Sequence, residues 1–404
     1  MNRIAFSELE GRTVGYYVLL GCFVLLALVS VASAWTIEQQ GHWITGMNNQ
    51  TPWGLPHIFS VFFILSGAGA FVVAAMHSVF CRPLYRPVAR LSGLLALALL
   101  VSGIAVLLLD LGRPERVTIA MTTFNFTSAL STNVFRYTAF MIAVGFYLWT
   151  TMEPRLDRYS RPLGIAAFLL GVLLATGIGA ELGFLVARKA YDSAIMPPMF
   201  VAMSMAFGLA CFILVLVAVF GATGRDLGGD LLPRLGRVLG LLVAAVLYFV
   251  VVKHVTGLYA AERRGVETFL LRDGGAVTSI FWIGQILLGG LVPLGLVFHP
   301  SWGRTRRGIT AAAALVVVGA FAQLYVIIIG GQSYPLVLFP GMEVESSFFD
   351  GVIHSYRPTL VEAGLSIGAP GLAGILVLVG IRLLKFLPDR LPPAAAEEGP
   401  APGA

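Results

Sequence analysis

About ten apolar runs, each roughly 20 residues or longer, divide the chain and leave few folds open to it. They fall at 15–36, 54–78, 88–109, 132–150, 163–186, 197–221, 235–256, 277–298, 308–330 and 359–384. A hydrocarbon core ~30 Å thick takes about 20 helical residues to cross. A helix also satisfies its own backbone N–H and C=O groups, which lipid cannot do. The expectation is an all-α polytopic membrane protein, its ten or so transmembrane helices filling residues 1–387. Residues 388–404, rich in Pro, Ala and Gly, read as a disordered cytoplasmic tail. Only 12% of the residues are charged, half the ~25% of a soluble domain, so the lipid bilayer is the main solvent.

Orientation follows from Lys and Arg in alternate loops. The N-terminus, the loops at 79–87, 151–162, 222–234 and 299–307 and the C-terminal tail hold 17, a few of them at helix ends. The opposite loops, longer in total, hold 8. Both termini are therefore expected in the cytoplasm of a bacterium, with the longer loops outside the inner membrane. The net charge of +6 is a topology signal of this kind and gives no reason to expect nucleic acid. Ala32-Ser33-Ala34 resembles a signal-peptidase site, but the apolar run before it exceeds the ~7–15 residues of a secretory h-region, so an uncleaved anchor is expected. Cys22, Cys81 and Cys211 are isolated. Without C-x-x-C or C-x-x-C-H, no intrinsic iron–sulfur cluster, covalent haem or other metal site is expected.

Charged side chains inside a membrane cost roughly 2.5–3.5 kcal/mol at a helix centre, so their positions are informative. His57 starts the second run, Asp110 ends the third, Arg136 lies one turn into the fourth and Glu181 sits near the end of the fifth. Lys253 and His254 end the seventh, and Glu362 begins the tenth. All seven fall at the outer boundary. Lys253 is equally a snorkelling side chain and His254 equally a satisfied core histidine; short carboxylates such as Glu181 and Glu362 reach the headgroups poorly and are normally paired or functional. A one-sided polar layer suits a lipid-soluble quinone, whose carbonyl oxygens need hydrogen bonds and whose two-electron chemistry moves two protons. An ion transporter more typically places its charges at the midplane.

A family resemblance rests on two motifs. Leu109-Asp110-Leu111-Gly112-Arg113-Pro114 is followed by Asn125-Phe126-Thr127-Ser128-Ala129-Leu130-Ser131, and the pair resembles the D-L-G-R-P…N-x-x-S-x-x-S signature of the NrfD/polysulfide-reductase (PsrC-type) membrane-subunit family. Pro52-Trp53-Gly54-Leu55 and Tyr356-Arg357-Pro358-Thr359-Leu360-Val361-Glu362 add to it; residues 117–124 do not match. Length and the stretch 41–50 resemble the ten-helix branch, DsrP of the sulfite-reduction-associated Dsr complex ahead of HybB-type hydrogenase subunits. The resemblance implies NrfD-like helical bundles and a quinone or quinol site near the outer face, with menaquinone or ubiquinone as exchangeable substrate. It also implies a periplasmic ferredoxin-like iron–sulfur partner, beside other membrane and cytochrome subunits. Trp53 and His57, with Arg136, are then expected at the quinone. Glu181, Asp110 and Glu362 are expected to relay protons. Arg113 and Arg116 are expected to shape the outer loop with Asp110 through salt bridges and to dock the partner; for Asp110–Arg113 a purely architectural helix cap is an equal reading. Two other classes stay open: a b-type haem protein, from the pairs His57/His254 and His77/His299, and an ion or solute transporter.

Overall fold

The computed structural model describes residues 6–9, 11, 13–123, 125–227, 229–336 and 352–388; the tail 389–404 lies outside them. Among the described residues nine helices are long and apolar enough to cross a membrane: α1 Val14–Gln40, α2 Leu55–Ser78, α3 Pro83–Leu109, and, after a helix taken up next, α5 Pro154–Gly183, α6 Met196–Ala222, α7 Leu231–Tyr259, α8 Ala276–Phe298, α9 Arg306–Ser333 and α10 Leu360–Leu383. The remaining helix, α4 Ala129–Met152, has 24 residues and corresponds to the expected fourth run. Asn133 and Arg136 near its start make it less apolar than the rest. A short bridge shows that it crosses as well. Phe6–Ser7 pairs antiparallel with Leu387–Pro388, so both chain ends sit at one end of the bundle, and that requires an even number of crossings. Ten satisfies it.

Local chemistry sets the helix starts. Thr13 caps α1 by accepting from the Tyr16 N–H at 3.3 Å. Ser128 caps α4 by accepting from the Ser131 N–H at 3.3 Å, and Asn125 Oδ1 accepts from the Thr127 N–H at 3.0 Å. The polar residues of the second motif thus shape the turn entering α4. Pro197 lies in the first turn of α6, where its missing N–H has no carbonyl partner to lose. Pro293 opens the closing segment Val292–Phe298 of α8, directly after a π-helical stretch, Ile280–Leu291. In α10 the axis is interrupted at Ile367, between Leu360–Ser366 and Gly368–Leu383.

Packing follows two groups, α2–α5 and α6–α9, which meet where α2 crosses α6; α1 and α10 pack together against α3. Helix α2 is buried along almost its whole length, whereas α1 is almost wholly exposed. Apolar burial cannot hold helices together in lipid, so close backbone approach must do so. At the α2–α6 crossing a Cβ on Gly69 would strike the Ser204 backbone, and one on Gly208 would strike Gly69 and Ala70. Only glycine lets these helices touch there.

Candidate functional site

The end of the bundle opposite the termini gathers the buried polar side chains. Glu362 organises its first part. It is fully buried at the N3 position of a capping box with Thr359. Its Oε2 accepts from the N–H groups of Gly46 at 2.9 Å and Thr359 at 2.8 Å, and from the Thr359 hydroxyl at 3.2 Å. Its Oε1 accepts from the Tyr356 hydroxyl at 2.7 Å, and that phenol oxygen accepts from the Leu55 N–H at 2.7 Å. Four donors and no acceptor face the carboxyl, an arrangement a carboxylate satisfies. Through it the loop before α2, the first turn of α2 and the start of α10 are tied together.

Trp53, just before α2 begins, and His57 in its first turn are stacked, their ring centroids 5.2 Å apart and planes 13° from parallel. The Tyr191 ring also meets the indole, its centroid 6.2 Å away and its plane tilted by 41°. The Trp53 backbone is held at both ends by Gln332, whose Oε1 accepts from the Trp53 N–H and whose Nε2 donates to the Trp53 carbonyl, each at 3.0 Å. Arg188 donates to the carbonyls of Gln332 at 3.0 Å and Gln50 at 2.6 Å, and the Tyr191 hydroxyl donates to the Ile328 carbonyl at 2.8 Å. Backbone and rings are fixed on all sides, while His57 makes no hydrogen bond among the described residues and is part-exposed. Below it, Phe59 and Phe62 meet Phe321 of α9 at 4.7 and 4.3 Å, an aromatic seam running toward the membrane interior.

Asp110 caps the end of α3, and His42 Nε2 lies 3.0 Å from its backbone carbonyl. Its Oδ1 is buried with no hydrogen-bond partner. Burial, then the charge of Glu362, pushes its carboxyl up to about 7. The expected salt bridges with Arg113 and Arg116 are not formed among the described residues. Both arginines point outward and are exposed, because the turn at Gly112-Arg113-Pro114 carries the chain away from the helix end. Asp110 holds the C-cap position through its backbone N–H alone; among the described residues neither a side-chain cap nor the ionic network forms.

Arg136 and Glu181 come together through a residue that sequence reasoning passed over. Asn133 donates from Nδ2 to Glu181 Oε2 at 2.7 Å and accepts from Arg136 Nη1 at 2.5 Å. Gly177 leaves the room for this, since a Cβ there would collide with the Arg136 guanidinium. Arg136 is thus engaged by Asn133, a separate station from the Trp53–His57 pair. Asn133 stands one turn before Arg136, the i,i+3 spacing that would have signalled it.

The second helix group carries a further polar set. His254 Nδ1 and Glu267 Oε2 are 2.5 Å apart, both buried beside buried Lys253. Two narrow cavities of about 10 and 20 Å³ run inward from this cluster; Val250, Gln285 and Gln323 line both. Gln285 Oε1 and Gln323 Nε2 are buried there without partners. Glu267 lies in a short helix after α7, Arg264–Thr268, where its spacing from His254 gives no periodic signal. Among the described residues no group of three or more His, Cys, Asp or Glu is placed to hold a metal ion.

The chain is similar to several known proteins. An integral membrane subunit of an Hdr-like menaquinol oxidoreductase from Archaeoglobus fulgidus is 28% identical over 397 residues, covering 98% of this chain and 100% of the relative. One component of the polysulfide reductase of Wolinella succinogenes is 26% identical over 257 residues, 58% of this chain and 78% of its own length. The integral membrane subunit of a menaquinone reductase from Nitratidesulfovibrio vulgaris is 22% identical, covering 88% of each. The family model of polysulphide reductase, NrfD, matches residues 43–335, a stretch running from the loop before Trp53 to the end of α9. This multi-pass membrane protein belongs to the NrfD/polysulfide-reductase family.

Proposed function

We propose that this chain is the quinone-reactive membrane subunit of a multi-subunit oxidoreductase, exchanging electrons between a membrane quinone pool and an iron–sulfur partner. The observation that carries the reading is His57: an imidazole held flat on Trp53, part-exposed, and free of hydrogen bonds among the described residues. A quinone needs a hydrogen-bonding group at a carbonyl oxygen and a surface on which its ring can lie. The aromatic seam of Phe59, Phe62 and Phe321 gives its isoprenoid tail an apolar approach. Two relatives bear names that mention menaquinol or menaquinone, which favours menaquinone over ubiquinone. The relative spanning the whole chain is named as Hdr-like, which favours a DsrP-type subunit over a HybB-type one.

The polar end faces the periplasm, because the opposite end carries most of the Lys and Arg and so belongs to the cytoplasm. The chain then sits in a bacterial inner membrane with both termini inside. Exposed Arg113 and Arg116 dock an extrinsic ferredoxin-like iron–sulfur subunit, which takes or delivers the electrons; further membrane and cytochrome subunits complete the complex. His57 accepts a hydrogen bond from the quinol hydroxyl at a ring nitrogen and orients the quinol ring. Asp110, near 7, passes protons to the aqueous side, and the Arg136–Asn133–Glu181 chain provides a second relay. Glu362, expected to relay protons, acts instead as a positioning residue, since Tyr356 links it to the first turn of α2.

In the assembled complex His57→Ala should lower quinol-linked electron transfer at least tenfold, with subunit assembly intact. A normal rate refutes the assignment. The transporter reading has one observation of its own, the narrow polar cavities among α6–α9; it requires ion flux in proteoliposomes without a redox partner. A bis-histidine haem is less well served, because His299 Nδ1 accepts from the Ser301 and Trp302 N–H groups, which leaves the proton of the neutral ring on Nε2, the nitrogen an iron would need.

A further inference from the structure

At the end of the bundle holding the termini, a cavity of about 190 Å³ opens between the end of α2, the end of α4 and the start of α5. That is an order of magnitude above the ~10–15 Å³ a single water needs. His77, Ser78, Cys81, Tyr147, Ser160 and Arg161 line it. Two of these show that the fold leaves the cavity chemically incomplete. Tyr147 is 1% exposed, yet its hydroxyl has no hydrogen-bond partner; nor has the buried Nδ1 of His77. A buried phenol and a buried imidazole nitrogen without partners both destabilise a fold. Both groups line the same space. Chain reversal at Cys81, in the left-handed region at φ 54°, bends the α2–α3 connection around it.

The charge of the rim identifies the ligand class. Arg161 is exposed and makes no hydrogen bond or ion pair among the described residues, so its five donors are free. The neighbouring cations are engaged: Arg86 is held by Asp157 at 3.5 Å and Arg90 donates to the Thr151 and Lys385 carbonyls. A guanidinium at the mouth and a hydroxyl donor inside match an oxyanion with several acceptor oxygens. Beside the mouth the surface turns apolar: Phe80 is 57% and Leu169 59% exposed, and Phe80 packs edge-on against Phe168 at 6.2 Å. An oxyanion site at the end of the bundle with exposed apolar side chains beside it fits a phosphate that carries acyl chains.

We propose that this cavity binds the phosphate of an anionic phospholipid, with Arg161, Tyr147 and His77 around the headgroup and the acyl chains over the exposed Phe80 and Leu169. The site is separate from the Trp53–His57 pair and does not depend on the quinone reading.

The test uses the full chain, purified in detergent and stripped of lipid. Its thermal stability is measured against added phosphatidylglycerol, phosphatidylcholine of the same chains, and inorganic phosphate. Phosphatidylglycerol should raise the midpoint and phosphatidylcholine should not. Arg161→Gln should weaken the apparent affinity for phosphatidylglycerol about tenfold, the scale of one charge-assisted contact. Tyr147→Phe removes only the hydroxyl and keeps the ring, so it folds as the parent does. It should weaken the lipid effect while leaving the stripped protein as stable or more so, because an unpartnered buried donor has gone. Equal stabilisation by both lipids, or an undiminished phosphatidylglycerol effect in both variants, overturns the proposal. Equal stabilisation by inorganic phosphate also overturns it, by showing that free anion is the ligand.

Discussion

Glu362→Gln separates a fixed structural anion from a proton carrier. The carboxyl receives two backbone N–H groups and two hydroxyls. Glutamine keeps the shape but has one acceptor oxygen, which must serve the three donors now at Oε2. Its amide then faces Tyr356, whose oxygen already accepts from Leu55, and the phenol proton loses its acceptor. One charge-assisted bond of ~1.5–3 kcal/mol disappears and the other three weaken toward neutral strength, about 3–5 kcal/mol in all. The assays are thermal denaturation in detergent and hydrogen exchange at single amides. The midpoint should fall by several degrees, and the amides of Gly46, Leu55 and Thr359 should lose protection together. If Glu362 worked as a protonated acid, glutamine would mimic it. Protection at Gly46 and Thr359 unchanged, with the midpoint within about a degree of the parent, refutes the clamp.

Three further outcomes are expected. Asp110 has a carboxyl raised from 3.8 to about 7, so the unfolded chain ionises first and stability falls as pH rises across that window, by at most ~4 kcal/mol. Asp110→Asn should therefore gain on the parent between pH 5 and 8 and match it at the acid end, and parallel midpoint-against-pH curves would contradict this. Asn133→Leu leaves the Arg136 and Glu181 groups unpartnered at a cost of about 2–4 kcal/mol, so it should lower the thermal midpoint clearly more than His57→Ala, which breaks no hydrogen bond. Gly208→Ala forces α2 and α6 apart at their contact and should cost about 1–3 kcal/mol, read as a lower midpoint; a neutral result would mean that the backbones do not touch there.

Much of this was legible in the residues because lipid makes the rules strict. Each apolar run became a helix, and the charged residues placed at one boundary lie at one end of the bundle. His57 was marked by its depth and Trp53 by the family resemblance alone, since Trp53 precedes the helix and no periodicity links the two. Other features could not be read, for physical reasons. Asn133 and Gln332 are uncharged and Glu267 lies in a short helix between spans, so neither insertion cost nor periodicity marks them, and their partners are up to 279 residues away, as for Trp53 and Gln332. The Asp110–Arg113 pairing failed for the opposite reason. Proximity in sequence suggested an ion pair, but the turn sends the guanidinium outward while the carboxyl is buried at the helix end. The cavity at Tyr147 was also invisible, since an unpartnered hydroxyl is a property of packing alone.

The most direct measurement is titration of the purified, lipid-reconstituted chain with a menaquinone analogue, following quenching of indole fluorescence, in the parent, His57→Ala and Trp53→Leu. Saturable binding in the parent that weakens at least tenfold in His57→Ala, with the most quenching lost in Trp53→Leu, is the expected result. Binding of equal strength in all three proteins would contradict the assignment of the quinone to this pair.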